Sequence, residues 1–126
     1  MSKIEKFEDL HCWQAARVLV KHIYDTTNQG VFSSDYDMKR QIRRASISVM
    51  NNIAEGFGRY SKKDFIRFLE ISVTSACEVK SMLYAALDQN YMAEEATKEL
   101  QAKAEIVKAL NLGLIKYLRK PNDPNT

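Results

Sequence analysis

No proline interrupts the first 120 residues: the only two, Pro121 and Pro124, stand among the last six positions. An internal proline costs a helix about 3 kcal/mol, so this chain can run in long helices. Apolar spacing uses that freedom four times. From about Phe7 to Asn28, residues Leu10, Trp13, Ala16, Val20, Ile23, Tyr24 and Thr27 recur at steps of three and four, the period of one buried face. Asn28, Gln29 and Gly30 end that segment. A second opens at Ser33 or Ser34, with Ser34-x-x-Asp37 as a capping box, Met38, Ile42, Ala45, Val49 and Ile53 as its face, and Gly56 as its C-terminal cap. A third opens with Ser61-x-x-Asp64 and buries Phe65, Phe68, Leu69, Ala76, Val79, Leu83, Ala86 and Leu87. The fourth, about Ala93 to Arg119, places Ala96, Leu100, Ala104, Val107, Leu110, Leu114, Ile115 and Leu118 inward.

Four such helices with short links imply an all-α fold, an antiparallel up-down-up-down four-helix bundle. Residues 1–120 are expected to form one domain, and 121–126 a disordered tail. The third helix carries more apolar surface than one bundle face needs: Ile66, Val73 and Tyr84 extend one flank, and Ile71 and Met82 the other. Generous burial within the monomer would explain this; so would self-association. Cys77, in the run Thr74-Ser75-Ala76-Cys77, is expected to let helices approach closely.

Several functions lack the residues they need. No apolar run reaches the roughly 18 residues that cross a membrane, and the charged start MSKIEKFEDL does not read as a signal peptide. Cys12 and Cys77 have no metal-type spacing, so reduced thiols in the cytoplasm are expected. A di-metal carboxylate site in a bundle needs two Glu-x-x-His pairs, and only Glu8-x-x-His11 exists. No catalytic constellation is present, and no cofactor is expected. Non-enzymatic binding is the expectation.

Charge points to a partner. From Lys39 to Arg67 eight Lys/Arg face two acids, a net +6, while eleven cations and fourteen acids elsewhere give −3. Fold stability does not require that asymmetry; a polyanion exploits it. The candidate nucleic-acid-binding residues are Arg40, Arg43, Arg44, Arg59, Lys62, Lys63 and Arg67. Lys62 and Lys63 in a first helical turn oppose the helix dipole, an inconsistency that a bound phosphate would reverse. Phe57 either stacks on a base or packs at the bundle end, and Tyr60 either stacks on a base or is an ordinary amphipathic turn residue. Glu55 is placed to pair with an arginine at this corner, Asn52 to hydrogen-bond across the bundle, and Glu70 to bridge Arg43 or Arg67, which would weaken the binding reading.

The segments FEDLHCWQAA, QIRRASISVMNNIAEGFGRYSKKDFIRFLEIS and EVKSML resemble the four-helix-bundle proteins encoded within intervening sequences of bacterial large-subunit ribosomal RNA genes, over about residues 7–118. Those proteins typically have a proline where this chain has Met50, and Gly-Ser where it has Thr74-Ser75. The resemblance implies a ring-like homo-oligomer, a pentamer. The chain is also similar to the bundle-type accessory proteins of diversity-generating retroelements, whose basic rings engage nucleic acid and a reverse transcriptase. It implies RNA or DNA as partner through Arg43, Arg44, Arg59, Lys62, Lys63 and Arg67, and no catalytic residue. The alternative is an oligomeric adaptor for another protein.

Overall fold

The computed structural model describes residues 3–121. Four long helices make the chain all-α: α1 (His11–Thr27), α2 (Tyr36–Phe57), α3 (Lys62–Asp88) and α4 (Glu94–Leu118). Short 3-10 turns occupy Phe7–Asp9 and Gly30–Ser34, and there is no strand among the described residues. α1 packs on α2 and α4, and α3 packs on the same two. As numbers rise along α3 they fall along α4: Glu70 meets Arg119, Ser72 meets Asn111, and Lys80 meets Glu105. Apart from Pro121, the tail expected to be disordered lies outside the described residues.

The helix starts differ from expectation in two places, the first being α1, which begins at His11 because Phe7–Asp9 forms a separate 3-10 turn. Ser61 caps α3, its Oγ accepting from the Asp64 N–H at 3.1 Å. The cap of α2, however, is Asp35 rather than Ser34. Its Oδ1 accepts from the Met38 N–H at 3.1 Å, and its Oδ2 accepts from the Tyr91 hydroxyl at 2.9 Å. The 3-10 turn consumes Ser33 and Ser34, because it must carry Phe32 into full burial before α2 begins. That carboxylate also raises the Tyr91 pKa above the ordinary phenol value. α2 runs unbroken through Met50.

Gly56 does not end α2. It lies within the helix, with Gly58 as the C-terminal cap. A Cβ on Gly56 would meet Phe68 Cβ at 2.7 Å and the Phe65 carbonyl at 3.3 Å. Glycine is needed there because α3 folds back directly against it.

The expected core is mostly correct, with Ile23, Ile42, Val49, Ile53, Leu69, Val79, Leu83 and Val107 all at or near zero exposure, but α1 buries Leu19 where Val20, only half-buried, was expected. α4 departs most from expectation. Leu110 and Ala96 face solvent, while Thr97, Gln101 and Asn111 are buried. Partners on neighbouring helices explain the rotation. Asn111 Nδ2 donates to Ser72 Oγ at 2.8 Å, and Ser72 Oγ donates to the Val49 carbonyl at 2.7 Å, linking α4, α3 and α2. Cys77 is exposed, so the close approach falls to Ser75, whose hydroxyl meets Ser48 Oγ at 2.8 Å. Asn52 bonds within its own helix, to the Ser48 carbonyl at 2.8 Å, and reaches α3 only through that hydroxyl pair.

Candidate nucleic-acid interface

The seven expected cations do not form one corner. Arg40, Arg43 and Arg44 belong to the start of α2, whereas Arg59, Lys62, Lys63 and Arg67 follow its end. Roughly 20 Å of helix separates Arg44 from Phe57 at a rise of about 1.5 Å per residue. The continuous helix that the missing proline permits is what divides the set.

At the start of α2, Tyr24, Tyr36, Lys39, Arg40, Arg43, Arg44 and Ile47 line a groove of about 490 Å³. No carboxylate lines it. Arg43 is held in place: Nε donates to Thr27 Oγ1 at 2.8 Å and Nη2 to Asn28 Oδ1 at 2.7 Å. Its guanidinium lies 4.3 Å from the centroid of the Tyr24 ring. A cation there offsets the negative end of the α1 dipole, and every hydrogen-bond partner is neutral. Lys39, Arg40 and Arg44 form no ion pair among the described residues. Acids line the adjoining grooves: Asp35 and Asp37 share a second groove with Tyr36 and Arg40, and Glu78 shares a third with Arg44.

Beyond the end of α2 the cations are more engaged. Arg59 pairs with Glu55 at 2.9 Å, as expected of Glu55. The guanidinium carbons of Arg59 and Arg67 lie 4.7 and 4.8 Å from the Phe68 ring centroid. Glu70 bridges Arg119 at 3.6 Å rather than Arg43 or Arg67, because α4 brings its last turn alongside. Both ion pairs are solvent-exposed, and such pairs contribute at most about 1 kcal/mol. Lys62 and Lys63 are exposed in the first turn of α3, and Lys63 and Arg67 share a groove of about 510 Å³ with Asp64, Glu70 and Arg119.

The aromatic candidates resolve differently. Phe57 is half-buried edge-on to Phe65, with centroids 6.0 Å apart. Tyr60 is fully exposed. The rings that join the cationic groove are Tyr24 and Tyr36, which the sequence reading missed. Tyr36 precedes Arg40 and Arg44 by one and two turns, and that spacing was the available signal. No group of three or more His, Cys, Asp or Glu among the described residues could hold a metal, and no described helix is long and apolar enough to cross a membrane.

A family model described as 23S rRNA-intervening sequence protein matches residues 8–112. The crystal structure of a protein of unknown function, from the S23 ribosomal protein family of Bacteroides thetaiotaomicron, is similar in fold. Its TM-score is 0.76 at 22% identity, covering 83% of this chain and 98% of that one. No curated protein matches the chain.

Proposed function

The chain belongs to the 23S rRNA-intervening sequence protein family, and from that membership we propose a non-enzymatic, cytoplasmic homo-oligomer that binds RNA or DNA mainly through backbone phosphates. The observation that carries this reading is the start of α2, where Lys39, Arg40, Arg43 and Arg44 line one groove without a carboxylate. Cations that the protein leaves unneutralised supply affinity for a polyanion with little sequence preference. Arg59, Lys62, Lys63 and Arg67 extend the footprint to the start of α3.

The oppositely numbered contacts between α3 and α4 support an up-down-up-down bundle. Ile106, Leu110 and Tyr117, at steps of four and seven on α4, are 54%, 37% and 53% exposed. This apolar ridge supports self-association; the ring and its count of five are what the family resemblance implies. Light scattering that returns 14.5 kDa, the mass of one chain, across micromolar concentrations removes the ring. Nucleic-acid affinity should fall steeply with salt. Replacing Arg44, Lys62 and Lys63 by Gln should flatten that slope by about 0.7 per contact on a single strand, and an unchanged slope sinks the site.

The same ridge favours a second reading, an adaptor that docks another protein such as a reverse transcriptase. A complex with a partner that survives nuclease treatment, and purified protein without nucleic-acid absorbance, would select it.

A further inference from the structure

We infer that the groove at the start of α2 holds an unpaired nucleotide, with its base stacked on Tyr36 and its flanking phosphates on Lys39, Arg40 and Arg44. The inference rests on the nucleic-acid reading above and narrows it to single strands. Charge alone would suit a duplex equally well; the aromatic wall does not. A duplex keeps its base faces covered, so an exposed ring on its backbone track meets no stacking partner. An unpaired base offers a free π-face, and stacking on an aromatic ring is tolerant of base identity.

The groove has the required parts in one place. Tyr36 is the first residue of α2 and 69% exposed, so its ring is not spent on the core. Tyr24 is already covered on one face by Arg43, which Thr27 and Asn28 hold in position. That leaves Tyr36 as the available ring and makes Arg43 a fixed cationic wall. Arg40 and Arg44 stand one helical turn apart and so can meet consecutive phosphates. At about 490 Å³, the groove lies within the usual range for small-ligand sites, about 300–1,000 Å³.

The test uses the full chain with fluorescein-labelled oligouridine, oligothymidine and a blunt duplex of equal length, read by anisotropy at one salt concentration. Either single strand should bind more tightly than the duplex. Tyr36→Ala should weaken single-strand binding about tenfold, leave duplex binding unchanged, and abolish the preference. Tyr36→Phe should bind as the unaltered protein does. Tyr36→Gln, with circular dichroism and elution volume matching the parent, guards against a folding artefact. Wild-type affinity in both Tyr36→Ala and Tyr36→Gln, or a duplex preference, overturns the inference while leaving phosphate binding intact. Loss on Tyr60→Ala but not Tyr36→Ala overturns it by moving the base beyond the end of α2. Failure to bind any strand or duplex overturns the nucleic-acid reading itself.

Discussion

Arg43 Nε donates to Thr27 Oγ1 at 2.8 Å, fastening α2 to the last residue of α1. The same guanidinium reaches Asn28 and stacks on Tyr24. This arginine therefore supports the fold even as it lines the groove. Hydrogen bonds from a charged group contribute about 1.5–3 kcal/mol. Arg43→Gln should lose about 2 kcal/mol of stability in urea, whereas Arg44→Gln, exposed and without a bonded partner, should stay within about 0.5 kcal/mol. Equal midpoints for the two variants would show that the Arg43 contacts do not hold α1.

Gly56 gives a sharper contrast. Its hypothetical Cβ sits 2.7 Å from Phe68 Cβ, while one on Gly58 has nothing nearer than the Glu55 carbonyl at 3.6 Å. Gly58 has a right-handed φ of −78°, which alanine adopts without strain. Gly56→Ala should lower stability by about 1–3 kcal/mol, and Gly58→Ala should be neutral or raise it by about 0.5 kcal/mol. Thermal melts in the reverse order would contradict the close packing of α2 and α3.

The buried chain from Asn111 through Ser72 to the Val49 carbonyl sets a third expectation. Ser72→Ala removes the acceptor of the Asn111 amide and the donor to Val49 together, at about 1–3 kcal/mol. Asn111 Oδ1 already lacks a partner, so adding Asn111→Leu to Ser72→Ala removes an orphaned amide. The double variant should be no less stable than Ser72→Ala alone. Urea unfolding of both singles and the double measures the coupling; simple additivity would mean the bond contributes nothing.

These core serines and the asparagine mark where the sequence stopped being legible. Helix number and the stripe from Leu69 to Ala86 followed from apolar spacing, because one face of each helix must leave water, and the Ser61 cap followed from its Ser-x-x-Asp pattern. Asn111 and Gln101 could not be placed that way. Their burial depends on Ser72 and the Lys80 carbonyl, which only tertiary packing brings within reach. The cationic set was legible as residues but not as a place. Proximity in sequence suggested one corner, and a helix with no break at Met50 holds Arg40, Arg43 and Arg44 near its start apart from Arg59, Lys62, Lys63 and Arg67 beyond its end.

Burial pushes the Cys12 thiol from its ordinary 9.0 up to about 11, whereas Cys77 is exposed. A maleimide at neutral pH should label one thiol per native chain and two in denaturant. Between pH 9 and about 11 the unfolded chain loses the Cys12 proton and the folded chain keeps it. Stability should therefore be unaffected by this group below pH 9 and fall as pH rises towards 11. Cys12→Ala, compared at each pH, should remove that part of the decline. An identical decline in the variant would assign it elsewhere.

The division of the cations predicts how ligand length acts. A dinucleotide in the groove of Arg40 and Arg44 cannot also reach Lys62 and Lys63, which lie beyond roughly 20 Å of α2 at about 1.5 Å per residue. Lys62→Gln with Lys63→Gln should leave dinucleotide affinity unchanged. It should weaken a strand of about twelve nucleotides, which spans some 40 Å even at the stacked rise of about 3.4 Å. Arg40→Gln with Arg44→Gln should weaken both. If the lysine pair matters equally for the dinucleotide, the clusters must meet across a contact between chains, since a single α2 holds them apart. If it matters for neither, the start of α3 is a solvated surface, and only the groove at the start of α2 contacts phosphate.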